Sequence, residues 1–387
     1  MVTVPTVAAR PSYFDGDDVA KARGLHQLLA EDGTPIDEVG LAKFDQALSR
    51  NLFEAMLRIR VTDARMIALH RQGRISFYGE AMGQEAAVIG SAAATKPDDW
   101  IVPALREAGV GLYRGMTLDS YIAQVFGCAT DVTKGRQMPC HPCDREHNYV
   151  VMSSCVSTQV PHAVGIAMAM KIKGDKDRAC FGYMGDGGTS EGDVHVSLNF
   201  AGVMKAPVVL ICQNNQWAIS TPGALQTASE TIALKALGYG VEPLRADGND
   251  VFAVYDVVAY AAEKARRGDG PTFIELLTYR VSAHSSSDDP SRYRDEKVTE
   301  VWRHQRDPLR RTELWLQRQG WLHTGEREAM AEQLDLEVRE SVARAEAAGP
   351  PALETIVDDV YEQPTWLLRE EMAALAASPR VKSPHQH

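Results

Sequence analysis

Two apolar runs, "RACFGYM" and "APVVLICQ", lie within residues 178–215 and are separated by a stretch of helical character at 191–204. A strand, a helix and a second strand in direct succession form a βαβ unit. In such a unit a right-handed crossover makes the two strands parallel. Both strands therefore end at the same edge of a sheet. The first run ends at Gly185-Asp186-Gly187 and the second at Asn214-Asn215. The sequence thus brings a glycine-flanked carboxylate and a pair of carboxamides to one carboxyl edge, which is where open α/β sheets bind ligands.

The same alternation extends along the chain. "WIVPAL", "VEPLRADG" and "TFIELLTYR" are further strand candidates, and helical patterns at 117–127, 159–172 and 251–267 fall among them. This predicts an α/β fold with a doubly wound, mostly parallel sheet. Upstream, Phe44, Leu48, Leu52 and Met56 recur every four residues, so 41–72 is expected to be one amphipathic helix. Beyond 296 the pattern becomes helical and charged, with Leu334, Val338 and Val342 keeping a four-residue step. The expected organisation is an N-terminal arm at 1–40, an α/β domain at 41–295 and a helical C-terminal extension at 296–387, with the last residues, "ASPRVKSPHQH", frayed.

Composition narrows the classes of function. The 387 residues are 44% hydrophobic and 24% charged, with a net charge of −11, which argues against a general nucleic-acid or anionic-membrane surface. No apolar run reaches the roughly 20 residues that a membrane span needs. The N-terminal "MVTVPTVAARPSYFDGDDVA" lacks a basic start and an apolar core, and it is too acidic for a transit peptide. Cys140 and Cys143 form a CxxC beside His141 and His147, but no second pair completes a tetrahedral zinc set. The expectation is a loop with reduced thiols, in a reducing cytoplasm.

At the carboxyl edge, Asp186 and the Asn pair suit a hard divalent cation such as Mg²⁺, which keeps phosphate oxygens and water among its ligands. Thr189 and Ser190 are expected to cap a helix starting near Glu191, whose free N–H groups favour the same phosphates. Nothing matches a GxGxxG or P-loop pattern, which counts against NAD and ATP.

The GDG…NN pair resembles the thiamin diphosphate signature. The segments "GRISFYGEAMGQEAAVIG", "KGRQMP", "VSTQVPHAVG", "GDGGTSEGDVH", "NNQWAISTP" and "TYRVSAHSSSDDPSRYR" resemble, in order and spacing, the alpha subunits of branched-chain 2-oxo acid dehydrogenases. The likeness runs from about residue 40 to "DVYEQPTWLLREE". It implies a fold of the thiamin diphosphate-binding type, in which Asp186 and Asn215 bind Mg²⁺ by side chain and Trp217 by its carbonyl. Arg106 matches an arginine on the diphosphate. Ser154 and Val156 match positions lining phosphate and aminopyrimidine, and Gly185 and Gly187 flank the cofactor. Thr158 and Gln159 stand where some relatives hold K⁺.

The resemblance further assigns His284 to the chemistry beside the cofactor, where a proton must be taken or given near neutral pH. Arg280, Asp288, Tyr293 and Arg294 are implied to order its loop, and Ser285 aligns with a serine phosphorylated in mitochondrial relatives. Phe77 and Tyr78 match the wall of the substrate pocket, although core packing explains Tyr78 equally well. Two positions depart from the pattern: Leu105 replaces a tyrosine and Gln213 an arginine, and each loses a partner for the diphosphate. The likeness implies a beta subunit in an α₂β₂ heterotetramer that supplies the missing carboxylate, and a lipoyl-bearing acyltransferase. Alternatives are a pyruvate or acetoin dehydrogenase alpha subunit, a single-chain transketolase-like enzyme, and a non-catalytic scaffold.

Overall fold

The computed structural model describes residues 12–358 and 360–379; the expectations for the first eleven residues and for the frayed end from residue 380 lie outside them. Five strands form the central sheet: β1 (Trp100–Val102), β2 (Cys180–Gly185), β3 (Val208–Asn214), β4 (Glu242–Asp247) and β5 (Thr272–Leu277). Their order is β1-β2-β3-β5-β4 and every pairing is parallel. All five correspond to the apolar runs read from the sequence. Runs without alternation are expected of parallel strands buried on both faces.

Successive side chains of a strand point to opposite faces, and here the two sets enter two apolar clusters. Phe181, Tyr183, Val209 and Ile211 pack on one face with the helices Gln46–Arg71, Glu85–Ala93 and Val251–Arg267. Cys180, Met184, Leu210 and Cys212 pack on the other with Gln159–Ile172 and Gly192–Met204. Burying each of the larger side chains contributes about 1.5–3 kcal/mol. Gly182 is required where Gln159–Ile172 crosses the sheet, because a Cβ there would lie 2.7 Å from Ala163 Cβ.

The long helix begins at Gln46 rather than 41. Asp45 accepts from the Leu48 N–H at 2.8 Å and caps it, while Glu38–Leu41 forms a separate turn. Pro308–Arg318 and Glu326–Ala348 pack along this helix, and Leu334, Val338 and Val342 are buried in the same cluster as Leu52 and Met56. Ion pairs stitch the contact: Arg58 to Glu337 at 2.6 Å and Arg60 to Asp307 at 2.9 Å. The segment before residue 40 docks on the outer edge of the sheet, where His26 bridges to Ala246 of β4. Among the described residues, no helix is long and apolar enough to cross a membrane.

Candidate functional site

Four strands end where the sequence expected chemistry. Arg106 follows β1, Asp186 follows β2, Asn215 follows β3 and His284 follows β5. All four line one cavity of about 520 Å³, together with Trp217 and Arg280. Gly185 leaves open space on its cavity side. Gly187 is pressed by the short hairpin Trp217–Ala218/Thr221–Pro222, which the sequence did not announce: a Cβ at Gly187 would lie 2.5 Å from Ala218 Cβ.

Asp186 is buried and accepts from Gln226 Nε2 at 2.7 Å. Burial pushes its carboxyl above the usual range, with the Gln226 hydrogen bond opposing; a nearby cation would reverse that shift. The expected caps are not used. Thr189 sits in the 3₁₀ turn Gly187–Ser190 and gives its hydroxyl to the Asp186 carbonyl at 2.8 Å, so the helix Gly192–Met204 starts from Glu191 without a side-chain cap. The turn at Asp186 consumes the hydroxyl that a cap would need. Asn215 Oδ1 accepts from the Trp217 N–H at 3.2 Å, and its Nδ2 donates to Gln84 Oε1 at 3.0 Å. Asn214 braces the turn, donating to Glu275 at 2.7 Å and accepting from the Gln216 N–H at 3.2 Å.

The His284 loop is held through its backbone. The His284 N–H donates to Asp288 Oδ2 at 2.8 Å, and its carbonyl accepts from Arg106 Nη2 at 2.8 Å. The Tyr293 hydroxyl donates to Asp288 and accepts from Arg280 Nη2 at 2.7 Å. Arg294 gives Nη1 to the carbonyls of Arg280 at 2.6 Å and Ser282 at 3.0 Å. Burial, then the guanidinium groups of Arg106 and Arg280, push the imidazole down to about 4. His284 is therefore neutral at pH 7. Two cations, Arg106 and Arg280, face it, and the neutral imidazole can accept a proton or donate its N–H.

Other expected residues separate into cavity and core. Ser154, Val156 and Phe77 line the cavity. His141 Nδ1 lies 2.9 Å from the Pro139 carbonyl, so it carries the proton and Nε2 accepts from the Ser154 hydroxyl. Tyr78 does not reach the cavity. Its hydroxyl is buried against Asp63 Oδ1 at 2.7 Å and the Tyr121 hydroxyl at 2.8 Å. Thr158 donates to the Cys155 carbonyl at 2.9 Å and Gln159 Nε2 to the Tyr183 carbonyl at 2.9 Å. Cys140 is buried and its thiol is pushed up to about 12 by burial. Among the described residues, no group of His, Cys, Asp and Glu is arranged to hold a metal.

Gln213 donates to Glu107 Oε1, and Glu107 Oε2 accepts the N–H groups of Ala104 at 2.8 Å and Arg106 at 3.1 Å. Burial pushes Glu107 up to about 7. Glu107 escaped the sequence reading although it adjoins Arg106, as did Gln84 in "GQEAA"; His141 was read only beside the CxxC, not at this cavity. No local signal marks Gln226, which meets Asp186 only through the fold. Three buried amide atoms on the cavity walls, Gln84 Nε2, Gln159 Oε1 and Gln213 Oε1, have no partner. Each such group costs about 1–3 kcal/mol when left unpaired.

Residues 54–354 match the dehydrogenase E1 component family, and the chain belongs to it. Within that family it is similar to the alpha subunits of 2-oxoisovalerate dehydrogenase. It is 42% identical over 347 residues to the mitochondrial subunit alpha 2 of Arabidopsis thaliana, covering 89% of this chain and 73% of the relative. It is 39% identical to the mitochondrial alpha subunit of Homo sapiens over 325 residues, or 84% of this chain and 73% of the relative. The Caenorhabditis elegans subunit is 37% identical over 93% of this chain and 83% of its own length.

Proposed function

We propose that this chain is the alpha subunit of a thiamin diphosphate-dependent 2-oxo acid dehydrogenase. It oxidatively decarboxylates branched-chain 2-oxo acids and passes the acyl group to the lipoyl group of an acyltransferase. The observation that carries this reading is the convergence of Arg106, Asp186, Asn215 and His284 from four strand ends on one cavity with unpartnered polar walls. Helices packed on both faces support a doubly wound sheet.

The donor set fits the cofactor and its ion. Asp186 and Asn215 would hold Mg²⁺ by side-chain oxygens and Trp217 by its carbonyl, and a dication relieves the burial that raises the Asp186 carboxyl. Arg106 and Ser154 would meet the diphosphate. The unpartnered Gln159 Oε1 would offer an oxygen to K⁺. When bound, the cofactor supplies the electron sink that loss of CO₂ requires. The protein contributes position and proton control: the neutral His284 imidazole accepts a proton or donates its N–H to developing negative charge. Arg106 and Arg280 hold that imidazole neutral and attract the anionic substrate. Phe77 lends an apolar wall suited to a short branched chain.

A beta subunit in an α₂β₂ assembly completes the site by supplying the carboxylate for the aminopyrimidine. Its contact is supported by exposed apolar side chains at the mouth, Met138, Val156 and Ile219. The test is to co-purify the chain with its beta partner and follow 2-oxoisovalerate-dependent reduction of an artificial electron acceptor. Thiamin diphosphate and Mg²⁺ are each added or omitted, with pyruvate run in parallel. Strict dependence on both and a higher kcat/KM for the branched acid are expected. Preference for pyruvate would overturn the substrate class, and no turnover by the assembled, cofactor-loaded enzyme would overturn the reaction.

A further inference from the structure

Behind the wall of the main cavity lies a second, smaller chamber of about 20 Å³, room for a single water. Its far side is formed by Asp63, Tyr78 and Tyr121, which hydrogen-bond to one another, and by Thr62, whose buried hydroxyl has no partner. Leu105 and Arg106 line both spaces. Arg106 is anchored by the hydrogen bonds that its guanidinium gives to the carbonyls of Glu80 and His284. Leu105 is half-buried, and its side chain can be shortened without breaking any hydrogen bond. It also stands close to the reacting region. A Cβ built on Gly79 would lie 3.7 Å from the His284 carbonyl oxygen and 3.8 Å from Leu105 Cδ2, so one glycine separates the two.

We propose that Leu105 sets the chain length of the 2-oxo acid accepted here, as the movable partition between the main cavity and the chamber behind it. The inference rests on the proposed 2-oxo acid chemistry and adds the residue that ranks its substrates. With Leu105 in place the acyl chain must stop at the partition, which suits a short branched aliphatic group. Cutting the side chain back to a methyl joins the two spaces and favours longer and aromatic acids. Enlarging it shortens the main cavity and favours pyruvate. Discrimination of this kind, worth one or two methylenes in an apolar pocket, is about tenfold or more.

The test uses the assembled α–β enzyme with its cofactor and measures kcat/KM for pyruvate, 2-oxoisovalerate, 4-methyl-2-oxopentanoate and phenylpyruvate. Leu105→Ala is expected to raise the phenylpyruvate to 2-oxoisovalerate ratio about tenfold. Leu105→Phe is expected to lower the 4-methyl-2-oxopentanoate to pyruvate ratio by a similar factor, and it decides the matter alone if Leu105→Ala fails to fold. Ratios that stay within about twofold of the parent, or a uniform loss on all four acids, would overturn the partition while leaving the proposed reaction intact. A parent enzyme that turns over none of the four would remove the reaction itself, and the partition with it.

Discussion

The outer edge of the sheet and the cavity at its carboxyl end both bury charge, and they treat it differently. At the outer edge, Arg311 is buried against Asp247 at 2.8 Å, and Lys21 and Lys264 both pair with Glu242. Asp250 takes the N–H groups of Leu28 and Leu29 at 2.7 Å each. At the cavity, Arg106 and Arg280 give their guanidinium N–H groups to carbonyl and hydroxyl oxygens; burial and then Arg280 lower the proton affinity of Arg106, and burial and Arg294 lower that of Arg280. Glu107 and Asp186 likewise take amide donors. The first region only has to hold the arm and the helical layer in place, so its charges cancel. The second keeps its charges uncancelled, as the proposed site for an anion and a dication would require.

The contrast can be broken most forcefully at Arg311. Arg311→Ala leaves Asp247 buried without its cation and should cost about 3–5 kcal/mol in urea denaturation, with activity kept in the folded fraction. A cost below about 1 kcal/mol would erase the distinction. Asp186→Asn should act the other way round. Activity of the assembled enzyme should fall at least about 100-fold, whereas the melting temperature of the ligand-free protein should hold or rise, because a desolvated carboxylate has gone.

The uncancelled charges also predict a pH signature. Glu107 titrates at about 7 in the folded chain against an ordinary value of 4.5. The native state therefore keeps a proton that the unfolded state has lost, and Glu107 makes stability fall as pH rises from about 4.5 to 7. Relative to Glu107→Gln, the parent should lose on the order of 2 kcal/mol across that window. His284 works in the opposite sense: held neutral down to about 4, it makes stability fall as pH drops from 6.5 towards 4. Chemical melts of the parent, Glu107→Gln and His284→Gln at several pH values separate the two. The smallest effect is expected of Tyr293→Phe, which cuts the link between Arg280 and Asp288 at about 1 kcal/mol. It should lower kcat/KM about fivefold with little change in melting temperature.

Much of the fold was legible because its signals are local. The runs that became β2 and β3 are uninterruptedly apolar, and the helix between them follows at once. The start of Gln46–Arg71 was misplaced because Phe44 keeps the apolar step while Asp45, the cap, interrupts only polarity. At the site, Asp186 and Asn215 could be seen from their places at strand ends, and His284 from its motif. Gln226 and Gln84 could not, since each meets its partner across a distance in sequence that only the packed sheet closes. The depressed imidazole of His284 was hidden in part for the same reason: Arg106 arrives from the end of β1, whereas Arg280 lies in the His284 motif itself.

The order β1-β2-β3-β5-β4 also says when this chain becomes competent. β4 is synthesised before β5 but pairs with it, and among the described residues its other edge meets the His26 bridge rather than a strand. Until residues 272–277 emerge, β4 has no neighbour joining it to β3. The residue that closes the cavity, His284, rides on the loop leaving that same last strand. A chain ending before β5 therefore lacks both the strand that joins β4 to β3 and His284, and it carries three of the four residues that converge on the cavity.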